Sequence, residues 1–314
     1  MRRRTLLAGV GTGITALAGC LGAIDDGTDA PRYELNVQSI GDTADLVTAQ
    51  TWRPEDTPDD ASRRDAWERA TDGEAVETVG YAPLPDGEYT ERDGRYFLLR
   101  RTVVGQRRVE RPVLRLSWVG HADELENPPE ATPANSLPEV DRRALTPAYF
   151  AARAREFEGG APWDIIERGG SVYRTRVAES ELVPESDHEH VRYQDTILRV
   201  RTATETFYDP VYETTARPVA DGRAAFVDVV EGARLDARID ASALEGSERR
   251  ILDTAGADGY EETEPLSEDY RRLIERLGLQ ELLYNGGASA ENGLLLKLDE
   301  RYYRYGLYIH SPQN

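Results

Sequence analysis

The apolar positions along this chain change period several times, and each change marks a short element. Tyr33, Leu35 and Val37 alternate with polar residues, and Leu114, Leu116 and Trp118 alternate with Arg115 and Ser117, which is the period of a half-buried strand. The same reading predicts strands over residues 33–38, 46–52, 95–104, 111–119, 172–177, 196–202, 224–230, 294–298 and 302–309. Asp93 and Gly94 make a turn between two of these stretches.

Helical spacing is confined to shorter runs. Ser62 caps a helix through Trp67 to Ala70, and Thr146 followed by Pro147 predicts another running to about residue 157. A short helix is expected over 163–168 and one from Ser247 through Ile251, Leu252 and Ala255 to Gly256. Ser267 opens the clearest helix, with Glu268 and Asp269 in its first turn and Tyr270, Leu273, Ile274 and Leu277 on one buried face.

These elements recur in order. Arg142-Arg143 matches Arg249-Arg250 at an offset of 107, Ile165-Ile166-Glu167-Arg168 matches Leu273-Ile274-Glu275-Arg276 at 108, and Gln194-Asp195 matches Asp299-Glu300 at 105. A shorter copy leads from Arg63-Arg64 to Asp93-Gly94-Arg95-Tyr96. The expected fold is therefore α+β, with two or three tandem modules of antiparallel sheet carrying one or two short helices each. Boundaries fall at 33–126, 139–220 and 221–314, with the proline-rich segment 127–138, which holds Pro128, Pro129, Pro133 and Pro138, read as a linker.

Composition narrows the function classes. The formal charge is −20, which disfavours nucleic acid and anionic lipid surfaces as partners, since both usually need a basic patch. Lys297 is the only lysine, so the remaining basic residues are arginine. Hydrophobic residues still make up 39% of the chain, enough to fold most of it rather than leave it disordered.

The first twenty residues address the protein. Arg2, Arg3 and Arg4 precede Leu6, Leu7 and a glycine-dotted apolar run, the charged and hydrophobic regions of an export signal. The run to Gly19 is shorter than the roughly 20 apolar residues that span a bilayer. Arg3 and Arg4 before two leucines resemble the twin-arginine signal, and Leu17, Ala18, Gly19 and Cys20 resemble a lipobox, in which the cysteine carries the lipid. Cys20 is the only cysteine, so no disulfide framework exists. Removal of residues 1–19 would take three arginines and leave −23, and residues 20–32 read as a flexible acidic tether.

Leader, acidity and arginine in place of lysine together resemble the exported lipoproteins of halophilic archaea. The resemblance implies a protein held on the extracellular face of the membrane by lipid on Cys20. At molar salt the Debye length is about 3 Å, which screens the self-repulsion of such a surface.

Candidate chemistry is sparse. His188 and His190, within Asp187-His188-Glu189-His190, would face one side of a strand as two ligands of a zinc or copper ion. Against this stands an acidic loop with exposed histidines, since no H-E-x-x-H spacing accompanies them. The acid-rich stretch 253–264 lacks the ordered D-x-D-x-D-G loop of a calcium site. There is no G-x-S-x-G elbow and no phosphate-cradling glycine loop. Tyr302, Tyr303, Tyr305 and Tyr308 offer contact area for a sugar or peptide groove, although alternation would pack one face on the preceding helix. No cofactor is expected. The function expected is non-catalytic binding or assembly, with an envelope protein or small ligand as partner. A metal-dependent hydrolase using His188 and His190 is the alternative, and a solute-binding protein the second.

Overall fold

The structure is a computed structural model that describes residues 30–56, 61–156, 169–284 and 290–310. The chain is α+β, and it runs through one order of elements three times. β1 (Arg32–Gly41) and α1 (Thr43–Gln50) come first. Round one is β2 (Thr51–Trp52), a 3-10 turn at Pro54–Asp56, α2 (Ala61–Thr71), β3 (Val76–Val79), β4 (Tyr89–Arg92) and β5 (Arg95–His121). Round two is β6 (Thr132–Pro133), a 3-10 turn at Ala134–Ser136, α3 (Glu139–Glu156), β7 (Ser171–Val172), β8 (His190–Tyr193) and β9 (Thr196–Ala220), followed by α4 (Arg223–Arg234). Round three is β10 (Leu235–Ile239), a 3-10 turn at Ala241–Ala243, α5 (Gly246–Ala257), β11 (Tyr260–Thr263), α6 (Glu268–Arg276), α7 (Gln280–Tyr284), β12 (Ala290–Leu298) and β13 (Arg301–His310).

Strand pairing repeats with the elements. In each round the first strand pairs parallel with the third, β2 with β4, β6 with β8 and β10 with β12. The third turns into the fourth through a two-residue antiparallel hairpin. Those turns need left-handed backbone, and Asp93 and Gly94 at φ 53° and 78°, Gln194 and Asp195 at 48° and 60°, and Asp299 at 51° supply it. The second strand pairs antiparallel with the neighbour of its own fourth strand: β3 with β9, β7 with β5, β11 with β1. The resulting orders are β2-β4-β5-β9-β3, β6-β8-β9-β5-β7 and β10-β12-β13-β1-β11. Strand β1 thus takes in round three the place that β9 takes in round one and β5 in round two.

The interlocked first two rounds explain why the chain folds as two compact units rather than three: Gly41–Arg234 is one, and residues 30–40 with 235–310 are the other. The partition at 126/139 is replaced because β5 and β9 pair along almost their whole lengths, from Tyr96 opposite Ala220 to His121 opposite Thr196. Segment 127–138 is not a linker. It carries β6 and the Ala134–Ser136 turn, and Pro133 is tolerated because β6 is the last strand of its sheet, where a missing N–H breaks no ladder.

Two elements read as strands are helices. Residues 43–50 bury Leu46, Val47 and Gln50 at helical spacing, and the side chain of Asp42 accepts the N–H groups of Ala44 and Asp45. In α4 the buried residues are Phe226, Val227 and Val230, and the Phe226 ring stacks on Tyr96 at 4.1 Å. That packing outweighs the β preference of the valines. α3 begins at Glu139 and runs through Pro147 instead of starting there, while residues 172–177 are strand only as far as Val172. The expected helix at 163–168 lies outside the described residues.

The smaller unit packs α5 and α6 on its sheet through Leu35, Ile251, Leu252, Tyr270, Leu273 and Leu296. Glu248, fully buried, accepts the Glu245 N–H at 2.8 Å and pairs with Arg276 at 3.2 Å, tying α5 to α6. Two clusters of the larger unit lie at opposite ends of the β5/β9 pair. One holds Ala66, Ala70, Leu84, Phe97 and Leu99, and the other Leu114, Leu116, Leu145, Ala148 and Leu198. Within the second end, buried Asp141 accepts from the Tyr173 hydroxyl at 2.7 Å, the Ser180 hydroxyl at 2.5 Å and the Glu181 N–H at 2.8 Å.

Candidate functional site

Between its two end clusters β5 keeps one open edge, and among the described residues the β5/β9 pair is a two-stranded ribbon where 106–112 face 204–210. Strand β5 has 27 residues and β9 has 25, and at about 3.3 Å per residue each is some 80–90 Å long. β4 flanks β5 only over residues 95–98 and β7 only at 113–114. β8 and β3 flank β9 only over 196–199 and 211–214. In the stretch between, every residue from Arg100 to Arg108 is exposed.

The ribbon's side chains differ from the rest of the chain in charge. β5 and β9 carry ten arginines against four acidic residues, a local excess of positive charge in a chain of formal charge −20. Three acids are already neutralised or crowded by arginine. Glu205 pairs with Arg115, and Asp209 pairs with Arg111 at 3.0 Å and with Arg174 at 3.6 Å. Glu110 lies between Arg108 and Arg111 in sequence. Among the described residues, Arg100, Arg108, Arg201 and Arg217 have no carboxylate partner. Arg155, at the end of α3, is held below the usual arginine range by burial and then by the charges of Arg115 and Arg201.

Apolar groups are exposed on the same stretch. Val103 is 58% exposed, Val104 50% and Tyr208 68%. A register shift between Val103 and Gly105 puts Val104 in a bulge, and Arg108 sits directly across from Tyr208. The ribbon is pinned at one point, where Asp209 lies buried under Gly80. A side chain at Gly80 would strike the Asp209 carboxylate, and its φ of +79° independently calls for glycine.

The residues singled out from the sequence do not gather into one site. His188 precedes β8 rather than lying in it, so the two histidines do not share a strand face. Its Nδ1 is 2.8 Å from the Thr132 hydroxyl and its Nε2 3.2 Å from a Glu181 oxygen, which makes it a clamp between β6 and the loop before β8. His190 begins β8 opposite Arg199. Among the described residues no group of three or more His, Cys, Asp or Glu is arranged to hold a metal ion.

The four tyrosines of β13 are divided by strand alternation. Tyr303 and Tyr305 pack toward the helices, with the Tyr305 hydroxyl donating to the Leu277 carbonyl at 2.6 Å. Tyr302 is buried away from that cluster, beneath the Lys297 ammonium at 5.3 Å. Tyr308, with Tyr305, edges an open cavity of about 580 Å³ that Asn36, Asp258, Asn292 and Arg304 also line. They do not form a continuous aromatic groove. Arg3, Arg4, Leu17, Ala18, Gly19 and Cys20 lie outside the described residues. No described helix is long and apolar enough to cross a membrane.

Sequence reasoning passed over the ribbon. Its signal was available, since seven of the ten arginines fall in the single stretch 95–115, but a charge summed over the whole chain conceals it. Fold and surface together define an α+β protein of three rounds, the first two interlocked, with a basic, partly apolar ribbon. No protein-family model, curated protein or solved structure matches the chain.

Proposed function

We propose that this protein is a non-catalytic binding or assembly component on the extracellular face of the cell membrane, tethered through lipid on Cys20, and that it engages its partner through the β5/β9 ribbon. The observation that carries the reading is the coincidence, on one stretch of the ribbon, of Arg100 and Arg108, which have no carboxylate partner among the described residues, with exposed Val103, Val104 and Tyr208. Arginine and tyrosine are the residues most enriched where protein contacts are strongest. Burial within the chain does not explain their placement, because their side chains face solvent.

The test is a photo-crosslinking residue placed at Val103 or Tyr208 in native membranes, with exposed Glu268 as the control position. An adduct of defined mass from the ribbon positions, absent from Glu268 and lost from membranes in a Cys20→Ala strain, supports the reading. Equal yields from all three positions, or no ribbon adduct, reject it.

A further inference from the structure

We infer that the outer edge of β5, between Arg101 and Pro112, accepts an acidic, extended segment of a partner protein as an added strand; this deepens, and rests on, the reading of the ribbon as the contact surface. The first ground is backbone chemistry. The Leu99 N–H donates to the Glu88 carbonyl, the Arg101 N–H to the Asp86 carboxylate at 2.9 Å, and the Pro112 carbonyl accepts from Tyr173 at 3.0 Å. Between those points, among the described residues, β5 has a neighbour on one side only, so its outward amides and carbonyls form an open strand edge. An open edge of that length is the template used in strand addition, where main-chain bonds give affinity and alternate side chains give selectivity.

The second ground is charge, and it selects the segment. Strand β5 carries seven arginines and one acidic residue, while β9 carries three of each, so the two edges are not equivalent. Carboxylates on a strand added to β5 would lie beside Arg100 and Arg108, which have no carboxylate partner among the described residues, whereas Arg107 and Arg111 are already paired with Glu77 and Asp209; small apolar residues would meet Val103 and Val104. Arginine pairs well with carboxylate through its planar fork of donors.

The third ground separates a polypeptide from a nucleic acid. A phosphate backbone continues its charge beyond the ribbon and would meet the strongly acidic remainder of the chain. A short acidic segment confined to the ribbon avoids that repulsion. Only a polypeptide also satisfies the open amides and carbonyls of β5 in a ladder.

The experiment uses the full-length lipidated protein in detergent at low salt and three probes. They are a synthetic peptide of about twelve alternating Glu and Val residues, matched to the open edge, the same peptide N-methylated at alternate amides, and a single-stranded DNA of equal formal charge. Saturable one-to-one binding of the first peptide is expected, weakened by about tenfold or more by N-methylation and by an Arg100→Glu/Arg108→Glu variant. Circular dichroism and an unchanged melting temperature establish that the variant is folded. Equal binding of the N-methylated peptide overturns the added strand, DNA binding as tight as the peptide overturns the choice of partner, and no peptide binding overturns both. If the Val103 crosslink to a membrane partner persists in any of those cases, the ribbon remains the contact surface and only its occupant has been misassigned.

Discussion

The β13/β1 pair of the smaller unit and the β5/β9 pair of the larger unit hold the same place in the repeat, yet they are treated differently by the chain. β13 and β1 have 10 residues each and carry Leu35, Val37, Tyr305 and Leu307 into a core under helices. β5 and β9 run to 27 and 25 residues, and their central stretch is exposed and rich in arginine. The short pair shows what the fold requires of this element. Two rounds share the longer pair, one packing on each end, and the exposed, arginine-rich stretch between those ends is the part that the packing of neither round requires.

The comparison breaks most violently if the short pair is opened. Tyr305 is 2% exposed and its hydroxyl bonds the Leu277 carbonyl, so Tyr305→Ala should cost about 3–5 kcal/mol, the usual range for deleting a buried aromatic ring. Hydrogen exchange should show the loss in residues 235–310, with the β5/β9 pairing still protected. Asp141→Ala comes next, because it leaves the Tyr173 and Ser180 hydroxyls and the Glu181 N–H without their buried acceptor, at a cost of about 3 kcal/mol read by urea unfolding. A loss below about 1 kcal/mol for either would mean that these contacts are not what the helices close on.

Alkali gives a gentler separation. Burial, and then the Glu262 carboxylate, push the Tyr260 phenol up to about 12, while burial and then Glu264 raise Tyr33. Both folded values lie above the ordinary 10, so the neutral form favours folding. The contribution is full below pH 10 and is lost as pH climbs toward 12. A titration followed by tyrosinate absorbance should show the smaller unit loosening in that window, and Tyr260→Phe should flatten the dependence; an unchanged profile would show that Tyr260 is not coupled to folding. Acid acts in the opposite sense on Glu34, which is held low chiefly by the Asn36 amide and also by His310. Its contribution is present above the ordinary carboxylate range and is lost as pH falls through the lowered value.

Much of the repeat was legible, because it is written in local signals. Asp93-Gly94, Gln194-Asp195 and Asp299 mark the three hairpin turns, and Ser267 with its i, i+3, i+4, i+7 apolar face marks α6. What escaped is non-local. Nothing near Arg108 announces that its partner is Tyr208, one hundred positions away, so β5 reads as two strands and the interlocking of two rounds stays hidden. The valines of α4 favour a strand in isolation, whereas the burial of Phe226, Val227 and Val230, with Phe226 stacked on Tyr96, favours the helix. The spacing of His188 and His190 is visible in sequence, whereas the Thr132 and Glu181 groups that occupy the His188 ring are not.

The smallest expected effect is also the sharpest test of the contrast. Arg100 and Arg108 are exposed and lack carboxylate partners among the described residues, so neither contributes a pair that substitution could break. Arg108 also has Arg107 beside it in sequence, and reversing its charge removes one like-charge contact while adding another acid to an already acidic chain. These two changes oppose one another and both are screened by salt. Arg100→Glu and Arg108→Glu should therefore each alter stability by no more than about 0.5 kcal/mol, measured by urea unfolding at moderate and molar salt. A loss of about 1.5 kcal/mol or more would mean that the ribbon arginines hold the strands together, as the tyrosines do in β13, and the two pairs would then differ in length but not in purpose. A negligible loss leaves these arginines free of any duty to the fold, as a contact surface requires.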